Sequence, residues 1–147
     1  MWQKSSNGDG AMACSILVVD QEPETRAFLR TLLTGHGYIV HCAEGVEDGI
    51  SKQQLCSPDL IIVDAMLPNE GALLFCGGKA NLPVIFISSI PLRSLFFSNR
   101  LIHSHNGLKH ASGLPFIEKP LQEDELLNLI NTLNRVDGFT DTMEMGG

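Results

Sequence analysis

Five short, largely apolar runs punctuate the chain: Ile16 to Val19, Tyr38 to Ala43, Leu60 to Asp64, Val84 to Ile87 and Leu114 to Glu118. They are too short for helices and rich in β-branched residues, which suits strands buried on both faces of a parallel sheet. Between them the apolar positions change period. Pro23 opens a segment in which Phe28, Leu29, Leu32 and Leu33 recur at helical spacing, Glu24 favours its N-terminal dipole, and Gly35 and Gly37 end it.

A weaker helix is predicted from Val46 to about Leu55, with Val46, Ile50 and Leu55 toward the core; Gly49 lowers its stability by up to ~1 kcal/mol, and Ser57-Pro58-Asp59 breaks it. After the third run, Ala72 to Cys76 leaves room for barely two turns of a shortened third helix. From Ile90 to Leu114 the pattern blurs. Leu92, Leu95, Phe96, Leu101 and Ile102 outline one irregular helix and a loop, a remodelled fourth-helix region. The last helix, Glu123 to Leu133, carries Leu126, Leu127, Ile130 and Leu133 on one face.

Strand and helix thus alternate five times. That predicts an α/β fold, a doubly wound three-layer sandwich with a five-stranded parallel sheet and helices on both faces. Residues 15–135 form the expected domain, with a disordered leader at 1–14 and a flexible polar tail at 136–147.

Composition narrows the function classes. Of the 147 residues 44% are hydrophobic and 18% charged, which describes a globular chain. A net charge of −7 argues against nucleic-acid binding through bulk charge. No apolar segment approaches the ~20 residues needed to span a bilayer, so no membrane association is expected. Cys14, Cys42, Cys56 and Cys76 are scattered, as befits free thiols in a reducing cytoplasm. Neither His36 nor His41 has a partner at metal-ligand spacing. Arg93, Arg100, His103, His105, Lys109 and His110 make the one basic patch of the sequence.

The chemistry-bearing residues stand where the apolar runs stop. The first run ends in Asp20 and the third in Asp64; the fourth ends in Ser88 and Ser89, and the fifth delivers Lys119 and Pro120. In an open parallel sheet, ligands bind at the carboxyl ends of the strands. Two carboxylates, a hydroxyl and an ammonium gathered there could hold a divalent cation and a phosphoryl group.

Ile16-Leu17-Val18-Val19-Asp20, Asp64 within Asp-Ala-Met-Leu-Pro, Ser88 after an apolar strand, and Lys119-Pro120 together resemble the response-regulator receiver domain of two-component signal transduction. The resemblance covers roughly Ser15 to Arg135 and implies a flavodoxin-like, chemotaxis-regulator-like fold. By matching position it implies that Asp64 is the phosphoacceptor, served by a sensor histidine kinase or a phosphotransfer protein. Asp20, Asp64 and the main-chain carbonyl of Met66 would hold Mg2+, Lys119 would neutralise the phosphoryl group, and Ser88 and Phe116 would be the switch pair. Phosphoryl transfer depends on such positioning and charge neutralisation, and magnesium favours oxygen ligands. Gln21 stands where the family carries a second acid, so it offers only a weak, neutral ligand. Glu22 occupies a position that usually points away.

The resemblance further implies a cytoplasmic, non-enzymatic protein that signals by binding a downstream protein through the face made by the fourth helix, fifth strand and fifth helix. No effector domain is expected after the last helix, so the expected output is by binding. Relative to the family, the segment from Asp64 to Ser88 is shorter and that from Ser88 to Lys119 longer. With Gln21, this motivates an alternative, a pseudo-receiver acting as a phosphorylation-independent interaction module. Two enzyme-like rivals fit worse. A haloacid-dehalogenase-like phosphatase needs an acid two residues after Asp64, where Met66 stands, and an FMN-binding flavodoxin needs a Ser/Thr/Gly-rich loop after the first strand.

Overall fold

The computed structural model describes residues 14–76, 82–91 and 115–144. In chain order the elements are β1 (Ser15–Val19), α1 (Pro23–Gly35), β2 (Ile39–Ala43), α2 (Val46–Cys56), β3 (Leu60–Asp64), a 3-10 segment (Pro68–Phe75), β4 (Val84–Ser88), β5 (Phe116–Glu118) and a C-terminal helix (Glu123–Glu144). All five strands are parallel, in the order β2-β1-β3-β4-β5.

Strand side chains alternate between the two faces, and that alternation divides the core in two. Ile16, Val18, Leu60, Ile62, Ile85 and Ile87 pack with Leu29 and Leu33 of α1 and with Leu126 and Ile130 of the C-terminal helix. Leu17, Val19, Ile61, Val63, Val84 and Phe86 pack with Ala72 and Phe75 of the 3-10 segment and with Val46 and Ile50 of α2. The predicted three-layer, doubly wound arrangement is therefore the observed one.

Helix α1 begins at Pro23, whose missing N–H is lost nowhere better than in a first turn. Past its end Gly37 adopts φ 92, which a side chain would oppose. Helix α2 ends in Ser57, itself left-handed at φ 47. Leu55 does not join the core and is 81% exposed. Five residues beyond Ile50, it falls on the far side of a helix with 3.6 residues per turn. Gly49, which intrinsic propensity counts against α2, is buried where a Cβ would lie 2.7 Å from Phe75 Cζ. Gly71 is tighter still: a Cβ there would run into Val46 Cγ2.

Two boundaries differ from expectation. The shortened third helix is a 3-10 segment that starts at Pro68 rather than Ala72, with a kink where Asn69 and Glu70 take left-handed φ of 57 and 55. The C-terminal helix runs to Glu144, through the residues predicted as the start of a tail. The leucine stripe stops at Leu133, but no proline follows before Glu144 to break the helix, and Gly138 is its strongest opponent. The predicted leader up to Ala13, the Leu92 to Leu114 part of the fourth-helix region and the basic patch lie outside the described residues.

Candidate functional site

Parallel register brings the candidate residues to one edge. Val19 pairs with Val63, so Asp20 and Asp64 end adjacent strands at the same level. Beyond β3, Asp64 pairs with Ile87, and Ser88 with Glu118, the residue before Lys119. Backbone hydrogen bonds continue past the strand ends: Asp20 N–H donates to Ala43 O (3.1 Å), Ala65 N–H to Ile87 O (2.8 Å) and Lys119 N–H to Ser88 O (2.7 Å). β1 leads to a helix on one face and β3 to the 3-10 segment on the other. Asp20 and Asp64 thus flank the crevice where connections depart in opposite directions, the usual ligand position in such sheets.

Each carboxylate is fixed by its own loop. Asp20 Oδ1 accepts the N–H of Glu22 at 2.8 Å, and Asp64 Oδ1 accepts that of Met66 at 2.9 Å. Asp20 and Ser88 are fully buried, and Asp64 is nearly so. Burial pushes the Asp64 carboxyl above its usual range; the Met66 N–H opposes this, and the negative charges of Asp20 and Glu22 reinforce it against Lys119. The Ser88 hydroxyl accepts the N–H of Ile90 at 2.9 Å. Phe116 is half-buried in β5 and packs against the second core cluster.

Lys119 follows β5, yet its ammonium crosses the mouth of the site to the residues that follow β1. Nζ lies 2.9 Å from Asp20 Oδ2 and 2.8 Å from Glu22 Oε1. The contact with Asp20 is an ion pair without good hydrogen-bond alignment, so Oδ2 stays a buried oxygen lacking a well-aimed donor. Burial draws the lysine's pKa down, but the hydrogen bond to Glu22, the close approach of Asp20 and the negative charges of Asp20 and Asp64 raise it on balance. Glu22 is the residue that sequence reasoning undervalued. The hydrogen bond from Lys119 and a second from Thr25 hold its carboxyl below the usual range. Its neighbour Gln21 is exposed. Beside this mouth lies a cleft of about 440 Å³ lined by Glu22, Thr25, Phe28, Ser89, Lys119 and Leu121, among others.

As a metal pocket the edge is sparse. Among the described residues no group of three or more His, Cys, Asp or Glu side chains is placed to hold an ion. Two carboxylates, one with a buried oxygen lacking a well-aimed donor, nevertheless suit a hard cation that keeps several of its waters, as magnesium does.

Comparison with known proteins decides the family. The profile of the response regulator receiver domain matches residues 16–93, more than half of the chain. The chain belongs to that family. It is a receiver domain of the two-component response regulators. Among relatives, hybrid signal transduction histidine kinase D of Dictyostelium discoideum is 42% identical over 76% of this chain and 7% of that protein. The KDP operon transcriptional regulatory protein KdpE of Escherichia coli is 36% identical over 51% of the chain and 35% of its own length. Response regulator ArlR of Staphylococcus epidermidis is 27% identical over 90% and 58%. The chain thus spans well under two thirds of these relatives.

Solved structures agree on the fold. A response regulator receiver modulated diguanylate cyclase from Pelobacter carbinolicus superposes with a TM-score of 0.64 at 22% identity, covering 88% of this chain and 98% of that one. The signal receiver domain of an HD domain-containing protein from Pseudomonas fluorescens gives 0.66 at 21%, covering 83% and 94%. No described helix is long and apolar enough to cross a membrane, and none of the four cysteines is in a disulfide.

Proposed function

We propose that this receiver domain accepts a phosphoryl group on Asp64 from a histidine kinase or phosphotransfer protein and signals by protein–protein interaction. The reading rests on one observation: Asp64 ends the central strand in a nearly buried pocket that also holds Asp20 and the one described lysine ammonium at that edge, Lys119. In the transfer, an Asp64 carboxylate oxygen forms a bond to phosphorus as the bond from phosphorus to the donor nitrogen breaks, and the donor keeps that electron pair. Lys119 supplies a charge-assisted hydrogen bond to the phosphoryl oxygens.

Asp20, Asp64, the main-chain carbonyl of Met66 and, weakly, Gln21 would hold Mg2+, which neutralises charge on the transferring group when bound. The Ser88 hydroxyl would exchange its bond from Ile90 for a phosphoryl oxygen, and the space it leaves would admit Phe116. With no hydroxyl of its own, Phe116 makes a soft switch, so partner binding is appreciable before phosphorylation. The output face includes β5, the start of the C-terminal helix and the fourth-helix region outside the described residues.

Intact-mass measurement after incubation with acetyl phosphate and magnesium tests the reading. Wild type gains one phosphoryl group, and neither Asp64→Asn nor metal-free protein gains any. A persistent modification of Asp64→Asn would overturn the assignment. If wild type gains none, the pseudo-receiver reading, which Gln21 favours, takes its place.

A further inference from the structure

Lys119 is the ammonium that a phosphoryl group on Asp64 has to recruit, and in this structure it is already committed elsewhere. Its Nζ is 2.8 Å from Glu22 Oε1 and 2.9 Å from Asp20 Oδ2. Asp64 Oδ1 takes its hydrogen bond from the Met66 N–H instead. Asp20 belongs to the buried acid pair, but Glu22 does not; its side chain is 59% exposed and reaches the lysine from the rim.

The reach of Glu22 is built in at three points. Its N–H is tied to Asp20 Oδ1 at 2.8 Å, and Pro23 fixes the backbone that follows. Thr25, one turn on, donates its hydroxyl to the same Oε1 that accepts from Lys119, at 3.0 Å. A carboxylate anchored this way loses little side-chain freedom when it takes the lysine. Glu22 is also poorly suited to stand in for the missing acid at Gln21, because the described acids form no three-ligand group and its Oε1 is occupied by two donors.

We infer that Glu22 is a restraint on the acceptor: it holds Lys119 toward the β1 side of the mouth, and phosphorylation has to draw the ammonium away from it. The inference rests on the reading of Asp64 as phosphoacceptor and adds a positioning residue that acts through Lys119. With its carboxylate mostly in solvent the pair is weak, so the restraint slows transfer without preventing it. Glu22 is chemically outside the phosphoryl group's contacts, and its removal therefore helps the reaction.

The test uses the full chain. Under acetyl phosphate and magnesium, Glu22→Gln is expected to gain the phosphoryl group roughly 1.5- to fivefold faster than wild type, an effect of the size of one ion pair at the surface. Thr25→Val, which loosens the anchor, should show a smaller acceleration. In a Lys119→Met background, where phosphorylation is slower, Glu22→Gln should add nothing, because the effect passes through the lysine. In metal-free protein, the Lys119 ammonium protons observed by NMR should exchange with water faster in Glu22→Gln than in wild type. Equal or slower phosphorylation of Glu22→Gln overturns the inference while leaving Asp64 as acceptor. An acceleration that survives in Lys119→Met also overturns it. A wild type that gains no phosphoryl group overturns both the acceptor reading and this inference.

Discussion

On one face of the sheet, α1 and the C-terminal helix lay down leucines and an isoleucine at helical spacing, and Leu29, Leu33, Leu126 and Ile130 are wholly buried. On the other face, α2 and the 3-10 segment come close because Gly49 and Gly71 carry no side chain. One face is filled by adding apolar volume, the other by removing it so that backbone can approach. The two should respond oppositely to the same change in size. Truncation hurts the first face and enlargement hurts the second.

The largest expected effect is on the first face. Leu33→Ala should destabilise by ~2–5 kcal/mol, the range for a buried leucine whose surroundings cannot collapse into the gap. The second face should lose ~1–3 kcal/mol on the gain of a single methyl group, in Gly49→Ala or Gly71→Ala. Glycine to alanine inside a helix ordinarily gains up to ~1 kcal/mol, so Gly49→Ala tests the sign as well as the size. Phe75 is buried and hemmed in, and Val46 has few rotamers on a helix, so neither neighbour yields easily. Urea titration of the three variants measures the contrast. A stabilised Gly49→Ala would show that the close approach is not needed.

That contrast also explains what could be read from the chain and what could not. Periodicity reports side chains that are present, so β1 to β4, α1 and the leucine stripe of the last helix were legible. So was the site edge, because Asp20, Asp64, Ser88 and Lys119 each end an apolar run and parallel register does the rest. Gly49 was counted against α2, since a sequence does not show that Phe75 would fill the missing side chain's place. Leu55, expected toward the core beside Val46 and Ile50, is turned away by its angular position on α2. Glu22 was undervalued because its partner, Lys119, lies 97 residues away and across two intervening strands.

The site lies in the crevice between the two faces, and its strain is electrostatic. The Asp64 carboxyl is raised by burial and by Asp20 and Glu22, so the folded protein holds that proton more tightly than the unfolded chain does. Stability is therefore lost as pH rises through the folded pKa of Asp64. Asp64→Asn can still accept the Met66 N–H, and it removes the loss. It should melt a few degrees above wild type at neutral pH, with the gap closing as pH falls below the usual carboxylate range. Calorimetry across that interval checks both halves. A melting point below wild type at neutral pH would mean that the attraction to Lys119 outweighs burial.

A change at the rim of the same crevice should be smaller. Gln21→Asp adds one exposed charge near the acid pair, worth ~2 kcal/mol against a divalent ion about 4 Å away in water, and should tighten magnesium binding by up to about thirtyfold. Isothermal titration would measure it. Unchanged affinity would mean that residue 21 does not face the ion.

The smallest effects return to the second face, where, among the described residues, Ser57, Asn69 and Glu70 hold left-handed backbone without being glycine. Two terms compete when each becomes glycine. Relief of the left-handed conformation favours the change by ~1–2 kcal/mol for an ordinary residue. The greater freedom of glycine in the unfolded chain opposes it by ~0.4–1 kcal/mol. Asparagine tolerates this region better than most residues, so Asn69→Gly has little strain to relieve and should be neutral or slightly destabilising. Glu70 has no such tolerance, and Glu70→Gly should gain up to about 1.5 kcal/mol, the difference of the two terms. Ser57→Gly should fall between them, at a helix end where glycine is the commonest residue in this conformation. The order Glu70, Ser57, Asn69 in urea midpoints is the measurement. Were Asn69→Gly the most stabilising of the three, the kink before Gly71 would be strained by its packing against α2 rather than by its own backbone angles.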